Sequence, residues 1–157
     1  VMVVTCARRG GLIVAATRIV RFAPVSPQLR RKHDAVAFVD ATMIAATRPG
    51  VALADILKRG IAAYRERRFG KEWKLHHQGG PTGYAPREFI VTPREKRSAV
   101  ENQAIAWNPS ITGTKSEDTI LALADGAEIV SESPNWPMMN VEVEGRVVRR
   151  PDLLVLE

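Results

Sequence analysis

Two segments with helical periodicity lie side by side in this chain, and everything on either side of them reads as strand and turn. Ser26 suits a helix N-cap and Pro27 the first helical position. Leu29, Val36, Val39, Met43 and Ile44 then recur at helical spacing until Arg48-Pro49-Gly50 ends the run. A second helix is expected from Leu53 to Arg68, with Ile56, Leu57, Ile61 and Tyr64 on its apolar face and Gly70 as C-cap. Before them, Val3 to Phe22 reads as two strands joined by Arg8-Arg9-Gly10-Gly11. After them come expected strands at Trp73–His77, Glu88–Thr92, Ala104–Trp107, Thr119–Ala124 and Glu128–Val130, the last two joined by Asp125-Gly126. Val141–Val148 and Leu153–Leu156 close the series around Arg149-Arg150-Pro151-Asp152. Segregated helices and strands imply the α+β class.

At 157 residues the chain fits one domain. A single cysteine excludes an internal disulfide, and no apolar run approaches the ~20 residues of a membrane-crossing helix. We expect a cytoplasmic protein with no membrane partner. A chain that opens on Val1 is expected to be a processed product or a piece of something longer. Lysine and arginine number 23 against 17 acidic residues, giving +6. The basic clusters Arg30-Arg31-Lys32, Arg65 to Arg68 and Arg94 to Arg97 lie in separate segments, with no aromatic series between them to stack bases. Nucleic acid is therefore only a minor alternative as partner.

No Walker loop, paired-cysteine zinc motif, HExxH or GxSxG occurs. The most distinctive segment is His76-His77 followed by Gln78-Gly79-Gly80-Pro81-Thr82-Gly83. Adjacent histidines on a strand would point to opposite faces, placing one in a cleft as ligand or acid/base group. The second candidate segment runs from Asn108 through a polar hairpin to Glu117-Asp118, where one carboxylate would face a cleft.

Taken in order, these segments resemble the pita-bread metallopeptidase family: methionine aminopeptidase, aminopeptidase P, prolidase and creatinase. Ala15-Ala16-Thr17-Arg18 looks like its DxTR strand and Arg48-Pro49-Gly50-Val51 like its KPG helix junction. His76 to Gly83 looks like its HxxGHGxG loop and Asn108-Pro109 like its Glu-Pro turn. Glu117-Asp118-Thr119-Ile120-Leu121 looks like its EDTxL strand, followed by a DGxE hairpin as Asp125-Gly126-Ala127-Glu128. The resemblance implies the pita-bread α+β fold for a single domain over residues 1–157. Residues 1–130 carry the likeness, and 131–157 form a C-terminal strand extension.

The resemblance also implies a test. The family's chemistry uses two divalent metals, such as Mn, Co or Zn, held by two aspartates, one histidine and two glutamates. Those positions fall on Val4, Ala15, Gly80, Asn108 and Glu117, so only Glu117 keeps a ligand of the family's type. The family's further histidine falls on Arg87, beside a retained Glu88. We therefore expect no metal and no other cofactor. Candidate catalytic residues are His76, His77, Arg87 and Glu117; candidate ligand-binding residues are Gly80, Tyr84, Glu88 and Asn108. The leading expectation is an Xaa-Pro peptidase-like domain that binds a peptide, protein or small molecule, as a homodimer, without metallopeptidase activity. One alternative is a metal-free, creatinase-like hydrolase using His76 or His77 with Glu117. The other is an active Xaa-Pro or methionine aminopeptidase whose ligands are completed elsewhere.

Overall fold

A computed structural model describes residues 1–156. The chain opens with an antiparallel hairpin of β1 (Met2–Arg9) and β2 (Leu12–Arg21). Gly10 and Gly11 form its two-residue turn, both with positive φ, which matches the twist of the flanking strands. Helix α1 (Pro27–Ala46) starts where expected: the Ser26 hydroxyl accepts from the Leu29 amide, and Pro27 fills the first turn. It ends at Thr47, just ahead of Pro49.

Helix α2 (Leu53–Glu66) follows, and its end differs from expectation. The left-handed residue is Arg68, with φ 68°, not Gly70. The Phe69 amide reaches back to the Tyr64 carbonyl at 2.8 Å and closes the last turn before Gly70 is reached.

The remaining elements are short strands. They are β3 (Gly79–Pro81), β4 (Ala104–Trp107), β5 (Ser110–Ile111), β6 (Thr114–Lys115), β7 (Asp118–Leu123), β8 (Gly126–Ile129), β9 (Met138–Val143), β10 (Arg146–Pro151) and β11 (Leu154–Val155). One sheet runs β3-β4-β7-β8 and a second runs β1-β2-β11, with β11 parallel to β2. The two sheets meet at an isolated antiparallel bridge between Thr17 and Glu117. There the Thr119 hydroxyl also accepts from the Ala15 amide and donates to the Ala15 carbonyl, at 2.8 and 3.0 Å. The segments Ala15–Arg18 and Glu117–Leu121 are thus stitched together.

Three strand expectations are corrected. Trp73–His77 is a 3₁₀ turn (Glu72–Lys74) followed by bends. The buried Gln78 side chain explains it: its amide nitrogen donates to the carbonyls of Trp73 and His76, so no neighbouring strand is needed. Glu88–Thr92 forms no ladder; only the amides of Glu88 and Val91 bond across to Pro81 and Gly79, and Pro86 and Pro93 flank it. Val141–Val148 is not one strand, because Glu144 and Gly145 both take positive φ and fold it into the β9–β10 hairpin.

The core lies between the two helices and the β4–β7 sheet. Val36, Val39, Met43, Leu53, Ile56 and Leu57 pack with Ile105, Trp107 and Ile120, all fully or nearly fully buried. A second face of α1, Ala37 and Ala41, packs on Val141 and Val143 of β9. Helix α1 is therefore covered on two sides, while α2 keeps the ordinary one-sided pattern. Tyr64 ties α2 to the site region. Its hydroxyl accepts from the Ser110 amide at 2.8 Å and sits 3.0 Å from both Gln78 Oε1 and the Ser110 carbonyl. Tyr64→Phe orphans the buried Gln78 Oε1 and the partly buried Ser110 amide and is expected to lower stability by about 1–3 kcal/mol, read by chemical denaturation.

Candidate functional site

Glu117 lies at the junction of the two sheets and is 2% exposed. Its Oε2 accepts from the Thr17 hydroxyl at 2.6 Å and from Lys115 Nζ at 2.8 Å; its Oε1 accepts from Arg87 Nη2 at 2.7 Å. Thr17 is delivered by β2, Lys115 by the end of β6, and Arg87 by the loop after β3. Burial alone would raise the Glu117 carboxyl, but the Lys115 charge and the hydrogen bonds from Lys115, Thr17 and Arg87 outweigh it and hold it below the usual carboxylate range. The side chains of Arg87 and Lys115 are each 9% exposed.

Asp118, the next residue, belongs to a second buried network on the opposite face of the strand. Its Oδ1 accepts from Arg18 at 2.8 Å and from the Ser131 hydroxyl, and its Oδ2 from Arg150 at 2.8 Å. Arg150 also pairs with Asp40 at 2.6 Å, and the Ser116 hydroxyl donates to the same Asp40 oxygen. Burial pushes Asp40 up to about 6, against the pull of Arg150 and of the Ser116 hydrogen bond. A carboxyl raised in the folded state holds its proton where the unfolded chain has lost it, so it contributes stability at low pH that is lost as pH rises from about 4 to 6. Over that range the wild type is expected to lose on the order of 2 kcal/mol relative to Asp40→Asn, measured by urea denaturation at each pH. Glu117 carries the opposite sign: its contribution is present above the ordinary carboxylate pKa and is lost as pH falls through its depressed one.

The other positions singled out from the sequence are scattered around this centre. Val4 is an exposed residue of β1, directly across from Thr17. Ala15 is fully buried against Thr119. Gly80 is buried in β3, and a Cβ there would lie 2.3 Å from the Phe89 carbonyl oxygen. Asn108 is 2% exposed; its amide bonds to the Gln78 carbonyl, and its Oδ1 has no hydrogen-bond partner among the described residues. Glu88, next in the chain to Arg87, serves its own loop: its Oε1 accepts from the amides of Tyr84 and Ala85 and closes their turn. Tyr84 is exposed and lies over Gly11 of the first hairpin.

His76 and His77 are not on a strand and do not face opposite sides. Both are exposed, and their rings stack with centroids 4.4 Å apart and planes at 27°. They help line a cleft of about 500 Å³ whose walls include Trp73, Leu75, Ile90 and Pro93. Partial burial, the neighbouring His76 and the cations Arg87 and Lys115 lower the His77 pKa, leaving a neutral imidazole near pH 7. The third histidine, unremarked in the sequence, is the buried one: His33 lies between the Thr114 hydroxyl and the Pro151 carbonyl.

Lys115 and Thr17 are the site residues that sequence reasoning missed. Lys115 sits two residues before Glu117, on the same side of an extended segment, which is the signal that could have found it. Among the described residues, no group of three or more His, Cys, Asp or Glu side chains could hold a metal ion. No helix is long and apolar enough to cross a membrane.

Comparison of the sequence with family models and with curated proteins gives no match. Solved structures do match. An X-Pro aminopeptidase from Thermotoga maritima superposes with a TM-score of 0.79 at 16% identity, over 99% of this chain and 41% of that one. A dipeptidase from Pyrococcus horikoshii gives 0.79 at 16% identity over 99% and 40%, and a prolidase from Pyrococcus furiosus 0.75 at 18% over 85% and 41%. The chain thus spans about two fifths of the length of the structures it matches. With β2 and β7 joined at Glu117, two helices over the sheet and this likeness, the chain has the pita-bread fold of the Xaa-Pro aminopeptidases, dipeptidases and prolidases.

Proposed function

We propose that this chain is a peptidase-fold domain that binds a peptide or small-molecule ligand without two-metal hydrolysis. The observation that carries the reading is the state of Glu117. Its carboxylate already accepts from Arg87, Lys115 and Thr17, so the positive charge that divalent ions would supply is supplied by the chain. The surrounding positions support this. Alanine and valine side chains have no donor atoms, and a histidine in place of Gly80 would need the Phe89 carbonyl to move. The residues present do not fit a dinuclear centre.

The cleft beside His77 is the candidate ligand site. Its walls are mostly apolar, with Lys74, His76, His77 and Gln78 among them, a mixture suited to a short peptide or an organic acid. A second reading, metal-free hydrolysis with His77 as proton carrier, is favoured by one observation only: the lowered pKa of that imidazole.

Both readings are separated by one pair of measurements. The protein is equilibrated with manganese, cobalt and zinc in turn, desalted, and its metal content read by mass spectrometry. In parallel, Xaa-Pro dipeptides are offered with and without chelator. The expected result is well below one metal per chain and no cleavage. Metal close to two per chain with chelator-sensitive cleavage overturns the proposal. Cleavage that survives chelation and disappears in His77→Ala replaces it with the second reading.

A further inference from the structure

The first sheet ends in an open strand. Its order is β1-β2-β11, so β1 has β2 on one side and no strand on the other. The Gly10-Gly11 turn sets which backbone groups are spare. Arg9 and Leu12 flank this two-residue turn as a hydrogen-bonded pair, and such pairs recur at every second residue. The odd-numbered residues of β1 therefore point their N–H and C=O at β2, as the reciprocal Val1–Val20 bonds show. Met2, Val4, Cys6 and Arg8 point theirs outward, and none of these groups has a partner among the described residues.

Edge strands are ordinarily guarded by proline, a bulge or charge along their length. β1 has no proline, its register with β2 runs unbroken, and no charged side chain lies between Met2 and Ala7. Its side chains are uncovered as well. Val4 and Cys6 share a face with the buried Thr17 and Ala15 of β2, yet both are exposed. The face that β2 buries is left open where β1 carries it on.

We propose that β1 is the interface with a second copy of this chain, paired antiparallel and edge to edge about a two-fold axis at Thr5. Symmetry and hydrogen bonding select that register together. Centred on Thr5, Met2 pairs with Arg8 of the second copy and Val4 with its Cys6, so every outward residue of both strands is bonded. Centring on Val4 leaves Arg8 without a partner, and centring on Cys6 leaves Met2 without one. The charges agree with this arrangement. Arg8 and Arg9 fall across from Met2 and Val1, which keeps the arginines of the two copies at opposite ends, and the Val1 ammonium is turned to the Val20 carbonyl at 2.7 Å. Val4 and Cys6 of both copies form one apolar cluster, and the two Thr5 side chains meet across the axis as a favourable pair. The contact also closes on itself. It consumes both β1 edges, and the far edge of the sheet, β11, is only two residues long. The inference does not depend on the metal-free reading of Glu117.

Sedimentation velocity of the unmodified protein over a hundred-fold range of concentration is expected to show a monomer passing to a dimer and to nothing larger. Val4→Pro removes one outward donor and no bond to β2, so it is expected to keep the circular dichroism of the fold while weakening the dimer at least about ten-fold. The register is read by cross-linking. Paired Thr5 residues lie ~4.5 Å apart between Cα atoms, within disulfide reach, whereas the two Cys6 residues are diagonal neighbours at roughly 7–8 Å. Thr5→Cys combined with Cys6→Ser is therefore expected to form a disulfide-linked dimer under mild oxidation, and the unmodified protein is not. A monomer at every concentration overturns the inference; that is the result expected if the strand that pairs with β1 comes from another protein or from elsewhere in a longer chain. A dimer that Val4→Pro leaves intact, or that links through Cys6 and not through position 5, also overturns it. If Val4→Pro does not fold, the cross-linking pair decides alone.

Discussion

Replacing Arg150 with methionine is expected to lower stability by about 3–5 kcal/mol, which for a domain of this size is roughly 10 °C in Tm. Arg150 is fully buried and binds Asp40 and Asp118 at once. Methionine fills much of its volume, so the loss is electrostatic rather than a cavity. Asp118 keeps Arg18, but Asp40 is left with only the Ser116 hydroxyl. The double variant Arg150→Met with Asp40→Asn is therefore expected to recover a large part of the loss, since it removes the carboxylate that lost its partner. Thermal denaturation of the wild type, both single variants and the double variant gives the coupling directly. Simple additivity would show that Asp40 and Arg150 do not act as a pair.

The second large effect is expected at Glu117. Glu117→Gln keeps the shape but leaves Arg87 and Lys115 buried without a counter-charge, at a cost of about 3–5 kcal/mol. Lys115→Met should behave differently. It leaves Glu117 paired with Arg87 and hydrogen-bonded to Thr17, so the charges balance and the change is expected to stay within about 1 kcal/mol. The asymmetry is the informative part: two partners in one ion pair, one indispensable and the other nearly dispensable. Denaturant midpoints for the two variants decide it, and equal losses would count against a surplus of positive charge.

The elements legible in the sequence are those governed by local chemistry. The start of α1 at Ser26-Pro27 and the Gly10-Gly11 turn each depend on a few adjacent residues and are found where the sequence places them; the β7–β8 hairpin also forms, but its turn is Ala124-Asp125 and Gly126 is already paired with Leu123. The segments that were misread are governed from a distance. Trp73–His77 carries residues compatible with a strand, but Gln78 and Tyr64 capture its neighbourhood. Val141–Val148 is apolar enough to read as one strand, yet a reversal at Glu144-Gly145 divides it. The site was legible in part for the same reason. Arg87 and Glu117 stand out by type, and the structure pairs them. The roles of Thr17, Lys115 and Arg150 follow from contacts between segments far apart in the chain, which single-sequence periodicity does not register.

The seam between β2 and β7 also bears on how the chain reaches this structure. Thr17 and Glu117 are 100 residues apart in sequence, and the neighbouring Ala15–Thr119 contacts span 104. Contacts of such long separation close large loops before they return any energy, so folding that waits on them is slow. The α1–α2 pair needs no such closure and is able to collapse early. The first hairpin, exposed along all of β1, is anchored through β2 by residues near 83, near 117 and in β11, all far along the chain. During synthesis, therefore, β2 emerges long before the segment near 117 that it pairs with, while the outer edge of β1 stays unpaired in the folded chain as well.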